Sequence, residues 1–471
     1  MTALLGIIVL GVGLGASLFL PVPQTLKTNF DAGQSLYALG EYEGAIIEYS
    51  KVVQFDSRAV REDSIFVDYG DELQLPILSA AWYQLGNAYK RSGEHDSAVK
   101  AFHHVTEAIG VSEDFRSLVQ FQVAETRFLQ QQYEQSSKEY DRYVELFPKS
   151  DLAGQAYFYS GWSQFNQKLY DDAIGTLGGM LNAYPDNNYA PDAQFRIASS
   201  FFEKEDYARS IDEAKAVIER YPESLVIAQA MYLEANAHDK LGSVQEAIDA
   251  YREVRDLYDR MFELLRGSFR EGKNVDFENY RQLFETSSLR VAEIYRHEGE
   301  FENAYKELIA AQETAEERFY KAKVQMRLGD NYLEWERYDD AWKTYNQVIE
   351  LYADTSYPPN AQYQKGEARY YAADYSEART EYLRVAEDYP DSDTSLRSQA
   401  LYSAGWSMEK LGSPEEALAI YARVVESFPR SQPAPLCLLR IGRIHTELQQ
   451  VDDALAAYKA IADNYGDTPH A

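Results

Sequence analysis

Residues 361–390 read AQYQKGEARYYAADYSEARTEYLRVAEDYP, and they carry the pattern from which nearly all of the chain is built. Two short helices are legible in them. Tyr363, Gly366 and Tyr370 keep a three- to four-residue step in the first, and Ala378, Tyr382, Val385 and Tyr389 keep it in the second. Ala372, Ala373 and Asp374 separate the two. Pro390 lacks the amide hydrogen that a continuing helix donates, so it ends the second. Asp391, Ser392 and Asp393 then offer side-chain oxygens to cap a following helix. Neither helix buries its apolar face alone, so a neighbour of the same kind is required.

The neighbours are in the sequence. Aligned on the small residue that opens each second helix, eleven positions correspond: Ala45, Ala98, Ser136, Ala173, Ser210, Ala247, Ala304, Ala341, Ala378, Ala417 and Ala454. Most successive members lie 37 residues apart, as do Ser136 and Ala173. A second small column sits twelve residues upstream (Gly86, Gly161, Gly329 and Gly366 among it), and an aromatic column four residues downstream (Tyr140, Tyr345, Tyr382, Tyr421). Small side chains let paired helices approach and rings fill the spaces between layers.

Composition narrows the function classes. The chain has 471 residues, more than one ordinary core, and a net charge of -30 that repels phosphate backbones, which argues against nucleic acid as a partner. A single cysteine, Cys437, excludes an intramolecular disulfide and does not decide the compartment. Residues 3–20 are free of charge and Pro21 and Pro23 end the run, so residues 1–25 read as a transmembrane anchor or an export signal. No Lys or Arg precedes the run, so flanking charge does not give an orientation.

Trp82, Leu85, Gly86 and Tyr89, followed by Ala98, Phe102 and the aromatic-proline endings of sister repeats, resemble the tetratricopeptide repeat. The long period, with tyrosine-proline-x-serine junctions, is similar to repeats of bacterial envelope proteins, including the outer-membrane assembly lipoprotein and Tol-Pal coordinator families. The resemblance implies an all-α, right-handed superhelical solenoid of about eleven helix-turn-helix repeats, preceded by an N-terminal hydrophobic helix. It also implies an extracytoplasmic scaffold that binds other proteins, as envelope complexes or peptide segments, along a concave groove lined by the first helices.

Two insertions interrupt the array. Residues 58–76 lie within a first block of six repeats over residues 26–258, and residues 259–284 separate it from a second block of five over residues 285–471. Insertions in repeat arrays become loops on one face and often bind; an elongated helix pair is the plainer alternative.

No catalytic, cofactor or metal constellation is found. His95 is too far along its helix from His103 and His104 to share a small ion. Acidic pairs such as Asp339 and Asp340 open helices, where the dipole favours them. The residues that face the implied groove are Phe121, Phe128, Phe158, Phe165, Phe195 and Phe202, with Tyr363, Tyr370, Tyr402 and Trp406 in the second block. The same column also reads as core between adjacent helix pairs, the use that longer repeats make of such rings. Asn87, Lys90 and Arg91 occur without the matching basic residues in the next repeat, so a clamp for a peptide's terminal carboxylate is not expected. In the last repeat Leu455, Tyr458 and Ile461 are expected to be partly exposed and to offer a surface for self-association.

The reading is therefore a noncatalytic interaction scaffold without cofactor, tethered to a membrane with its repeats in the periplasm. The alternative is a soluble periplasmic adaptor, or a regulator of a cell-wall or outer-membrane biogenesis enzyme, released by signal cleavage.

Overall fold

The computed structural model describes residues 22–55, 65–68, 74–268 and 277–465. The chain divides into two compact units, Met1–Leu241 and Gly242–Ala471. The first contains α1 (Val22–Ala38), α2 (Tyr42–Val53), β1 (Phe66–Asp68), β2 (Gln74–Pro76), α3 (Ile77–Ser92), α4 (His95–Thr106), α5 (Glu113–Leu129) and α6 (Tyr133–Leu146). It continues with α7 (Ala153–Asn166), α8 (Tyr170–Ala183), α9 (Ala190–Glu203), α10 (Tyr207–Arg220) and α11 (Ile227–Lys240). The second contains α12 (Val244–Ser268), α13 (Phe277–His297), α14 (Phe301–Thr314), α15 (Arg318–Glu334), α16 (Tyr338–Leu351) and α17 (Pro358–Tyr371). It ends with α18 (Tyr375–Asp388), α19 (Thr394–Leu411), α20 (Pro414–Ser427), α21 (Pro433–Glu447) and α22 (Val451–Tyr465). The units meet in sequence between the two helices of the sixth repeat, and α12 runs on to Ser268 into the expected 259–284 insertion.

The turn inside each helix pair repeats one backbone device. Five residues before the small residue of the second helix, the chain takes a positive φ: Gly40, Gly93 and Gly412 in some pairs, Gln131, Lys168 and Ala373 in others. After α17 the Asp374 amide donates to the Arg369 carbonyl at 2.9 Å and the Ala373 amide to Tyr370 at 2.9 Å. Both close carbonyls that a helix end leaves open. Asp374 then accepts from the Glu377 amide at the start of α18, and Asp393 caps α19 through the Ser395 amide, as the junction sequence implies.

The two small-and-large columns meet face to face. A Cβ placed on Gly366 would stand 2.5 Å from the Tyr382 ring, and one on Gly86 2.5 Å from Phe102. Tyr140, Tyr345, Tyr382 and Tyr421 are fully buried in that contact. First helices also touch the next first helix, α1 with α3, α7 with α9 and α19 with α21.

The described part of the first insertion, residues 65–68 and 74–76, packs into the core. Its described ends form an antiparallel hairpin with Val67 opposite Leu75, both buried in the core around Leu26, Phe30 and Ile77. Alternation puts Val67 and Leu75 on the same sheet face, and that face is drawn into the core. Residues 56–64 and 69–73 lie outside the described residues, as do residues 269–276 of the second insertion. The uncharged stretch 3–20 lies outside them too; among the described residues no helix is long and apolar enough to cross a membrane.

Candidate protein-binding face

The first helices of unit 1 expose a row of rings whose origin is local. Phe128, Phe165 and Phe202 end α5, α7 and α9, and each packs edge-on against the tyrosine that opens the next helix: Tyr133 at 5.6 Å, Tyr170 at 5.5 Å and Tyr207 at 5.2 Å. Tyr370 does the same with Tyr375 at 5.4 Å. The rings thus latch helix pairs and stay half-buried, one edge on the first-helix face.

Two predicted groove residues are corrected. Phe121 and Phe158 are 4% and 3% exposed. Phe121 packs against Tyr140 and Tyr143 of its own pair, and Phe158 against Tyr189 and Trp162. They stand seven residues, about two helical turns, before the latch rings Phe128 and Phe165, where packing claims them. Phe195 is half-buried.

Two residues outside the predicted set, Trp162 and Arg196, complete the unit 1 face. Trp162 stacks on Tyr159 and meets Phe128 at 5.1 Å, joining α5 to α7. Arg196, on α9, lays its guanidinium over Trp162 at 4.7 Å, Phe165 at 5.3 Å and Phe195 at 5.8 Å. Burial pulls the guanidinium below its ordinary pKa, and Asp192 one turn earlier offsets part of that. Burial likewise pushes the Asp192 carboxyl up. The signal that marks Arg196 in sequence is a column two residues before the small one, where arginine recurs at 196, 290, 327 and 440.

In unit 2 the predicted residues fall into three contacts. Tyr363 leans on Tyr382 and its hydroxyl lies 3.3 Å from Ser403 Oγ; burial pushes it up to about 12. Tyr402 leans on the Tyr421 ring. Trp406 Nε1 donates to the Tyr370 hydroxyl at 2.5 Å, and Arg440 lies over its ring at 3.7 Å. Arg440 also pairs with Glu409 at 3.7 Å, and Tyr421 donates to the same carboxylate at 2.5 Å. This face is closed by its own hydrogen bonds.

On α22, Leu455 is 65% and Tyr458 38% exposed, as expected. Ile461 is not; at 2% exposure it joins Ala454 and Ala457 on the buried stripe of the helix, three and four residues apart. Among the described residues no three His, Cys, Asp or Glu side chains gather as a metal site. His104 instead stacks on Trp82 at 4.0 Å.

Family profiles agree with this architecture. Tetratricopeptide repeat profiles match residues 79–109, 322–355, 363–432 and 404–469. An outer membrane lipoprotein profile matches residues 151–273, the stretch that includes Trp162, Phe195 and Arg196. Among solved structures, the C-terminal part of a tetratricopeptide repeat-containing protein from Cytophaga hutchinsonii is 16% identical, with a TM-score of 0.42 over 60% of this chain and 99% of that one. The apo form of RapI is 12% identical, with a TM-score of 0.43 over 74% of this chain and 98% of that one. YrrB, described as a repeat protein with an unusual peptide-binding site, is 18% identical, with a TM-score of 0.31 over 43% of this chain and 89% of that one. No curated protein matches the chain. The chain is built from tetratricopeptide repeats, and over residues 151–273 it is similar to an outer membrane lipoprotein family.

Proposed function

We propose that the protein is a noncatalytic scaffold that holds other proteins of a cell-envelope assembly against the first-helix face of its repeats. One observation carries the reading: the latch rings and Trp162 present a half-buried aromatic face on α5, α7 and α9, inside the stretch that resembles the outer membrane lipoprotein family. Half-buried aromatic anchors on a rigid helical support are the surface type that contributes most to protein recognition. Residues 1–25 supply the membrane tether with the repeats in the periplasm; in the alternative they are removed and the chain acts as a released adaptor or regulator. The exposed Leu455 and Tyr458 on α22 offer a place for a second copy.

A photo-crosslinking residue in place of Phe195, used in native membranes, tests the partner reading. A small set of envelope proteins is the expected product, and a diffuse set of abundant neighbours sinks it. Intact mass tests the tether: a mature chain that starts at Leu18 or later removes the anchor.

A further inference from the structure

Four arginines occupy the column two residues before the small residue of the first helix: Arg196, Arg290, Arg327 and Arg440. Three have acids. Arg290 pairs with Glu293 at 3.0 Å, Arg327 with Glu293 at 3.6 Å and Asp330 at 3.1 Å, and Arg440 with Glu409 at 3.7 Å. Arg196 forms no hydrogen bond or close ion pair through its guanidinium among the described residues; Asp192, one turn earlier on α9, attracts it from beyond that range. Two positions differ. The acids of Arg290 and Arg327 stand three residues on in their own helices, where Arg196 has Ser199, and Glu409 stands three residues beyond Trp406, where beyond Trp162 stands Phe165, a ring. The guanidinium therefore lies on three rings with its planar fork of donors unused, in a chain whose acids outnumber its bases. Such a fork is shaped for a carboxylate, and the rings beneath it lower the local dielectric and strengthen the pairing.

We infer that Arg196 and the rings of Trp162, Phe165 and Phe195 form a subsite for an Asp or Glu side chain of a partner segment, with apolar residues on both sides of it. This rests on the scaffold reading above and adds the chemistry of the partner. The apolar flanks follow from the rings that continue past the subsite: Phe128 and Tyr159 toward α5, and Phe202 toward α10. A segment that passes through engages both sides, whereas a chain terminus would leave one side empty; the acid is therefore an internal side chain.

The test uses the full chain in mild detergent on a synthetic array of ten-residue peptides of varied sequence, acetylated and amidated. The expected selection is a single Asp or Glu between apolar residues. Arg196→Met keeps the apolar stem over the rings; it should retain the apolar selection, lose the acid preference and bind the selected peptides about tenfold more weakly. Arg196→Glu should turn the preference to Lys and Arg. Arg443→Met, which removes only an exposed pair with Glu447, should leave the selection unchanged. Free-acid versions of the peptides should bind no better than amides; a gain there overturns the internal side chain as the source. Acid preference that survives in Arg196→Met overturns the subsite, and if the variants fail to fold, a wild-type array without acid preference does so alone. Apolar peptides selected without acid preference sink the subsite and leave the scaffold reading standing; no binding to any peptide sinks both.

Discussion

Arg196 in unit 1 and Arg440 in unit 2 stand at the same step of their first helices and lie over equivalent tryptophans, Trp162 and Trp406. One is left open and the other is closed. Three residues beyond the tryptophan, Glu409 takes up both Arg440 and the Tyr421 hydroxyl, while Phe165 gives Arg196 only a ring. The buried tyrosines differ in the same sense. Tyr345 donates to Asp330 at 2.8 Å and Tyr382 to Glu367 at 2.5 Å, each acid directly following the small residue of its first helix. In unit 1 the matching acid is Glu125, which is held by Lys90 from α3, and the buried Tyr140 hydroxyl has no protein partner among the described residues. Two stretches with the same backbone thus differ in whether their polar groups satisfy one another. Where they do, the face is self-contained; where they do not, donors remain for a ligand.

The sharpest way to break the comparison is to open a closed cluster. Glu381 is fully buried and accepts from Gln362 at 2.7 Å, from Trp342 Nε1 at 2.9 Å and from Arg384 at 3.2 Å, with buried Lys365 at 3.4 Å. Glu381→Ala strands the Lys365 charge and should cost about 3–5 kcal/mol by urea unfolding. Its counterpart Glu139 in unit 1 keeps only Gln120, at 2.7 Å, and Glu139→Ala should cost about 1 kcal/mol. Equal losses would erase the distinction.

The same cluster makes a pH prediction. Burial alone would raise the Glu381 carboxyl, but the Gln362 amide, Lys365, the Trp342 indole and Arg384 outweigh it and hold it below its ordinary value. A carboxyl depressed by folding stabilises the protein above its unfolded value, and that stability is lost as pH falls through the folded one. The advantage of the wild type over Glu381→Gln should be full at pH 7 and should shrink on acidification below the ordinary carboxylate range. A constant difference in unfolding midpoint across that range counts against the arrangement.

Hydroxyl deletions give smaller effects of unlike sign. Tyr382→Phe leaves the Glu367 carboxylate without its donor and should lose about 1.5 kcal/mol, whereas Tyr140→Phe removes an unpartnered buried hydroxyl and should be neutral or stabilising by about 1 kcal/mol. Thermal melts of the two variants decide it. The smallest contrast lies in the arginines: Arg440→Met should cost about 0.5 kcal/mol more than Arg196→Met, because both lose a guanidinium over a tryptophan and Arg440 also loses its pair with Glu409.

Much of the architecture was legible in residues 361–390. Tyr363, Gly366, Ala378 and Tyr382 repeat down the chain at helical spacing, and spacing of that kind specifies which faces two adjacent helices bury. The turn between the helices was legible as a break, although its positive φ at Ala373, a residue with no special freedom there, was not. The hairpin was missed because Val67 and Leu75 are too short a pattern to read as strands until they face each other. Of the residues read as a face, Phe128, Phe165, Phe202 and Tyr370 stay half-buried on the first helices. Phe121 and Phe158 lie on the same helices but are buried, because Tyr140 or Tyr189 draws a ring two turns earlier into the core.

The sequence by itself determined the repeat, its helices and the rings available to the first-helix face, because these depend on residues within one pair and recur in each. Only the tertiary structure decided which polar groups find partners. Lys90 reaches Glu125 from 35 residues away, and Glu409 reaches Arg440 across a neighbouring repeat. The openness of Arg196 is of the same kind: it follows from which side chain of the preceding helix lies beneath it, and periodicity along one helix carries no information about that.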